Sequence, residues 1–203
     1  YAQRPEATAC ASYDVWNTRM GRSVRRSSKG IGLLSANGVR YVFDISDTVG
    51  RDGSRLPYLW AYREEHAEAV VAALAEQYGV TDEGGLPYQL EAIAQELAGE
   101  YWEQNWEDIL ASVPGSFLED YDELNVEVEF RNAVTVSTTY ALMSRCGLNP
   151  SEFFTNEDFL PVFDFNTPDS ITALGTAVSG NSEQVLRQIE VTIKNYERTR
   201  RVE

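Results

Sequence analysis

The sequence predicts an α+β fold that is mostly α-helical, with a small N-terminal β-hairpin lobe packed on a helical body. Two observations predict it. Near the front, an Asn37-Gly38 pair separates two apolar runs, and beyond residue 60 the apolar residues recur at helical spacing. The expected division is residues 1–57 for a small α+β lobe with a basic turn, and 58–203 for an acidic helical body.

Taken in order, residues 11–20 suit a short helix that Gly21 stops. The basic stretch Arg22-Ser-Val-Arg-Arg-Ser-Ser-Lys29 follows as a turn, ending at Gly30. Residues 31–36 and 39–45 are the apolar runs, and the Asn-Gly between them tolerates the positive φ of a tight hairpin. Residues 46–57, rich in Gly, Asp and Ser, read as a loop. Ala67, Val70, Val71, Leu74 and Tyr78 then share one face of a helix over 62–78, which Gly79 closes. Leu90, Ile93, Leu97 and Tyr101 begin a second helix after Pro87 that runs to about residue 112. Over 124–146, Val126, Val128 and Phe130 alternate like a strand. Phe130, Ala133, Val134 and Ala141 continue as a helix ending at Gly147, and helix is the expectation. Asn149-Pro-Ser-Glu152 has the form of a capping box, and Thr167-Pro168 that of another helix start. Asn181 with Gln184 is expected to open the last helix, which buries Val185, Leu186, Ile189, Ile193 and Tyr196.

With 203 residues, 43% of them hydrophobic, the chain can bury one sizeable core, or a core and an appended lobe. Its 23 aromatic residues argue against disorder. No apolar run approaches the roughly 18 residues that span a bilayer, so no membrane partner is expected. No secretory leader is visible, and the first residue is Tyr1 rather than Met, so an earlier start is expected. Cys10 and Cys146 have no metal-ligand spacing and read as two buried free thiols in a reducing, cytoplasmic compartment.

The net charge of −15 is unevenly spread. Residues 1–60 carry +4, residues 61–130 carry −17 with Arg63 as their single base, and residues 131–203 carry −2. Such a chain presents one modest cationic region and one strong anionic field.

No residue set suggests an active site, a metal centre or a cofactor. The single histidine, His66, sits in Glu64-Glu65-His66-Ala67-Glu68, beside the expected buried face of a helix. Zinc sites need three or four ligands at close spacing, and the scattered Cys10, His66 and Cys146 fall short of one. Gly30-Ile-Gly32 lacks the full phosphate-binding fingerprint and precedes a strand rather than a helix. With 32 acids, proximity of two carboxylates identifies nothing. Two features remain. Arg22, Arg25, Arg26 and Lys29, beside Tyr13 and Trp16, combine cations with aromatic rings, which suits single-stranded nucleic acid; the competing reading is an ordinary solvated turn. Glu91, Glu96, Glu100, Glu103, Glu107 and Asp108, followed by Glu119, Asp120, Asp122 and Glu123, form an acidic surface. It serves solubility, or else it imitates phosphate spacing and enters the basic channel of a DNA-handling protein. Trp102 and Trp106, among these carboxylates, are candidate anchors of such an interface if exposed.

The run Gln3-Arg-Pro-Glu-Ala-Thr-Ala-Cys-Ala-Ser-Tyr-Asp-Val-Trp16 is similar to part of a module found in large proteins of conjugative elements and phages. So are Met20-Gly-Arg-Ser-Val-Arg-Arg-Ser-Ser-Lys-Gly-Ile31, Tyr41-Val-Phe-Asp-Ile-Ser-Asp-Thr48, Ser144-Arg-Cys-Gly-Leu-Asn-Pro150 and Gln184-Val-Leu-Arg-Gln-Ile-Glu190. In those proteins the module precedes helicase-like or DNA-methylase-like regions, and the resemblance covers nearly the whole chain. The first fifty residues also resemble the N-terminal domain of ArdC-type antirestriction proteins, which is associated with single-stranded DNA. The paired-histidine zinc motif of those proteins has no counterpart here, so no protease activity carries over. The resemblance implies DNA contacts at Tyr13, Trp16, Arg22, Arg25, Arg26 and Lys29. It also implies an anti-defence role, of anti-CRISPR or antirestriction type. The expected function is therefore non-enzymatic: binding and inhibiting a host DNA-targeting nuclease, a CRISPR effector or restriction enzyme. Glu96, Glu100, Trp102, Glu103, Trp106, Glu107 and Asp108 are the expected contact surface. The alternative is a single-stranded nucleic-acid-binding module of a larger DNA-processing protein.

Overall fold

The computed structural model describes residues 3–35, 38–81 and 84–200. The fold is α+β and mostly α-helical, and the chain divides into two compact units, Tyr1–Leu59 and Trp60–Glu203.

The first unit holds the strands. β1 (Cys10–Ser12) pairs antiparallel with β4 (Gly38–Asp44), which pairs antiparallel with β3 (Ile31–Ser35). β2 (Arg22–Val24) pairs antiparallel with β5 (Thr48–Gly50). The hairpin of β3 and β4 is in register with Ser35 opposite Gly38. Asn37, half of the expected turn, lies outside the described residues. Asp44, at the end of β4, organises the unit. One carboxylate oxygen accepts the backbone N–H of Thr8 (2.7 Å) and Ala9 (2.9 Å), and the other accepts that of Ser46 (2.9 Å). Asp47 in turn accepts from the Asp44 backbone and pairs with Arg4.

Three expectations for this unit need correction. The helix expected over 11–20 forms over 13–19, because residues 10–12 instead find the open edge of β4. The basic turn begins as strand β2, because part of the expected loop 46–57 is β5, its hydrogen-bonding partner. Neither three-residue strand carries an apolar alternation, so only the pairing reveals them.

The second unit is helical: α1 (Ala67–Tyr78), α2 (Leu86–Ser112), α3 (Glu123–Arg145), the short α4 (Leu160–Asp164) and α5 (Pro168–Arg200). Gly79 closes α1 with φ +69°, a left-handed position glycine takes without strain. Asp122 caps α3 by accepting the Asn125 N–H at 2.9 Å, and the ambiguous 124–146 segment is helix throughout. Asn149 does cap a helical start, accepting the Ser151 N–H at 3.2 Å with Pro150 at the first position, but what it opens is a single 3-10 turn, Pro150–Glu152. Asn181 opens no helix. It is buried within α5, which runs unbroken from Pro168. Gly175, Gly180 and Asn181 resemble a break in the sequence, but Leu174 and Ala177 continue the buried stripe of Val185, Ile189 and Ile193.

Two clusters fill the helical unit. One joins α1 (Val70, Leu74), α2 (Leu90, Ile93), α3 (Leu142, Met143) and α5 (Val185, Ile189, Ile193) around Trp60. The other is aromatic: Phe130 of α3 lies against Tyr101, Trp102 and Phe165 at centroid distances of 6.1, 5.8 and 5.9 Å. Among the described residues, no helix is long and apolar enough to cross a membrane.

Of the two thiols expected to be buried, Cys146 is and Cys10 is exposed at the start of edge strand β1; burial pushes the Cys146 thiol up to about 11 against the opposing charge of Arg145. The thiolate is the reactive form. Mass spectrometry after brief iodoacetamide treatment at pH 8 is expected to find Cys10 alkylated and Cys146 intact until denaturant is added; equal labelling would contradict this packing.

Candidate functional site

α2 presents the clearest organised surface. Glu96, Glu100, Glu103 and Glu107 stand at i, i+4, i+7 and i+11, a spacing that keeps them on one helical stripe about 16 Å long. All four are exposed, and no ion pair occupies them among the described residues. The opposite face of α2 supplies Leu90, Ile93, Leu97 and Trp102 to the core, so the acids cannot turn inward. A cation does flank the stripe. Arg131 of α3 lies across Gly99, where an added Cβ would stand 3.2 Å from its guanidinium, but it pairs with Glu127 at 3.1 Å. Burial first, and then the Glu100 charge, push the Tyr78 phenol upward, so the field of the stripe reaches the end of α1.

The predicted anchors separate. Trp106 is 39% exposed beside the stripe, whereas Trp102 is only 6% exposed and packs on Phe130. Trp102 is therefore a core residue and not an interface anchor. Its position four residues before Trp106 places the two rings only some 40° apart, but the core boundary falls between them. Asp108 is exposed to the side of the stripe. Glu91 is partly buried in a separate recess with Gln95, Arg131 and Asn132, where burial and the Asp158 charge raise its pKa. Exposed apolar residues that sequence reasoning missed continue this end of the unit: Phe117 and Tyr121 in the loop after α2, and Leu124 in the first turn of α3. Leu118 anchors the loop in the core, and Asn166 accepts the Phe117 N–H at 3.1 Å. The visible signal was Phe117-Leu-Glu-Asp-Tyr-Asp-Glu-Leu124, apolar residues interrupted by acids. From 101 to 130 there are nine acids and no Lys or Arg.

In the lobe, the predicted nucleic-acid residues also divide. Tyr13, Arg25, Arg26 and Lys29 are exposed. Trp16 is not a stacking platform: it is 2% exposed, and its indole N–H donates to the Phe43 carbonyl at 2.7 Å. Arg22 is directed into the β2–β5 pair, where its Nε donates to Thr48 Oγ1 at 2.7 Å. Arg25 and Lys29 line a polar cleft of about 710 Å³ with Arg4, Ser27, Ser28 and Asp47. Both backbone groups of Gly32 are engaged by the Gln3 side chain, so the Gly30–Gly32 segment cannot cradle a phosphate at that position.

Compared with known protein families, curated proteins and solved structures, the chain matches none. His66, the N-cap residue of α1, is wholly buried rather than at the edge of the buried face. Its Nδ1 accepts the Arg63 N–H at 3.2 Å and its ring meets Tyr196 edge-on at 5.3 Å, so it serves the start of α1. Among the described residues, no group of three or more His, Cys, Asp or Glu is placed to hold a metal ion.

Proposed function

We propose that this chain is a non-enzymatic anti-defence protein of a mobile genetic element that binds and inhibits a host DNA-targeting nuclease, its α2 stripe entering the nuclease's basic nucleic-acid channel. One observation carries the reading: four exposed glutamates hold one helical line without an ion-pair partner among the described residues. Four charges over about 16 Å give a line charge somewhat thinner than one DNA strand, which carries one per 3.4 Å. Trp106, Phe117, Tyr121 and Leu124 add the exposed apolar surface that a purely solubilising face has no need of. The resemblance to mobile-element modules supports the same class of partner, a CRISPR effector or a restriction enzyme.

The test is a nuclease-inhibition assay with the Glu96/Glu100/Glu103/Glu107→Gln variant, run on free nuclease and on preformed nuclease–DNA complex. Inhibition by the variant is expected to weaken about a hundredfold at low salt, with the wild-type effect fading as salt rises. Like charges four apart are removed, so its melting temperature should hold or rise slightly. Equal inhibition by the variant would exclude the stripe, and equal inhibition of the preformed complex would exclude competition for the channel.

A second reading, single-stranded nucleic-acid binding, is favoured by the lobe cleft bearing Arg25 and Lys29. An Arg25/Arg26→Ala variant in a gel shift at low salt separates it, since the α2 variant leaves the lobe untouched. Burial of Trp16 and the engagement of Arg22 leave this site fewer groups than the sequence promised.

A further inference from the structure

A groove of about 610 Å³ lies along the helical unit between α3 and α5, apart from the acidic stripe. It exists because small residues line it: Ala141 on α3, and Gly175 and Ser179 on α5. A Cβ added at Gly175 would meet no atom within 4 Å, so internal packing does not demand that glycine.

Two polar groups in the groove bear on a ligand, one buried and unpaired, the other exposed but held in place. Ser182 is only 8% exposed, yet its hydroxyl makes no hydrogen bond within the protein. The threonines of the same helix do not behave this way: Thr172, Thr176 and Thr192 each donate back to the carbonyl four residues earlier. A buried hydroxyl left unpaired is unfavourable, and a ligand acceptor would satisfy it. Arg145 is the second group. Its guanidinium lies 3.6 Å over the Trp60 ring and donates to the Trp60 carbonyl at 3.0 Å, which holds it in place. In a chain with 32 acids, it has no carboxylate partner among the described residues. A planar, immobilised guanidinium with N–H groups to spare is suited to an oxyanion.

The rim limits what that anion can be. Arg187 is paired with Glu183 at 3.0 Å, and Glu190 stands on the same side, so cations and carboxylates balance. A polyanion would meet the two glutamates, whereas a single carboxylate need meet only Arg145. Val178 and Leu186 supply apolar wall. We infer that this groove binds a small monocarboxylate with an apolar body, the carboxylate on Arg145, a second acceptor on the Ser182 hydroxyl, and the body against Val178 and Leu186. The volume lies within the usual range for small-molecule sites, about 300–1,000 Å³.

The test is an NMR titration of the ¹⁵N-labelled protein with sodium benzoate, neutral benzamide and phenyl phosphate. Benzoate is expected to give saturating shifts at amides within 141–145 and 175–187, with a Kd in the millimolar range usual for a probe of about nine heavy atoms. Binding should weaken about tenfold for benzamide and in Arg145→Gln, and a few-fold in Ser182→Ala. Should Arg145→Gln disturb folding, Gly175→Leu fills the groove from its open side and should abolish the shifts while leaving the rest of the spectrum unchanged. Shifts that do not saturate, that are matched by benzamide, or that survive both Arg145→Gln and Gly175→Leu would overturn the site. Tighter binding of phenyl phosphate would overturn the monocarboxylate assignment.

Discussion

Phe130→Ala is expected to remove about 3–5 kcal/mol from the helical unit, much of the 5–15 kcal/mol that a domain of this size has. Phe130 is wholly buried in α3, and its ring is the common neighbour of Tyr101 and Trp102 on α2 and of Phe165 before α5. Truncation leaves a cavity beside α3 bounded by three large rings on one helix and a loop, which cannot close in together without moving helix axes. Phe130→Leu keeps most of the volume and should lose far less, about 1–2 kcal/mol. Urea unfolding followed by far-UV circular dichroism checks both. A loss below about 1 kcal/mol for the alanine variant would mean the aromatic cluster is not the keystone described here.

Asp44→Asn should loosen the N-terminal unit by about 2–4 kcal/mol, an effect that depends on charge and not on size. Burial alone would raise the Asp44 pKa. Hydrogen bonds from Ser46 and the amides of Thr8 and Ala9 outweigh it, and hold the carboxyl well below the usual range. The asparagine has one acceptor oxygen where the carboxylate has two, so its amide group must face a backbone N–H. Because the folded pKa is depressed, the stabilisation is complete above the unfolded carboxyl value of about 3.9. It is lost progressively as pH falls below that value towards the folded pKa. Protection factors for amide exchange at Thr8, Ala9 and Ser46, taken against the intrinsic rate at each pH, should therefore fall on acidification in the wild type and be low already at neutral pH in Asp44→Asn. Unchanged protection in the variant would show that the carboxylate is not the organiser.

Much of the helical unit was legible because its signals are local. The start and stop residues Pro168 and Gly79 act within one turn, and the stripe of Leu90, Ile93 and Leu97 is a periodicity of the chain itself. The accumulation of acids was legible too, but that Glu96, Glu100, Glu103 and Glu107 share one exposed line was not, since it needs α2 to run unbroken past them with its other side in the core. Nor was the first half of α5. Its Ala-Leu-Gly-Thr-Ala-Val-Ser-Gly-Asn run has poor helix propensity, and contacts with α2 and α3 override that deficit.

By itself, then, the sequence determined where most helices run and where charge accumulates, because these depend on composition and on residues three or four apart. Only the tertiary structure decided that Trp16 and Trp102 face inward while Trp106 faces out. It likewise decided that Arg22–Val24 and Thr48–Gly50 are strands, and that Arg145 and Ser182 line one groove. Each of those outcomes rests on a partner distant in the chain. An indole beside arginines in sequence is indistinguishable from one in a core until the Phe43 carbonyl is seen accepting its proton.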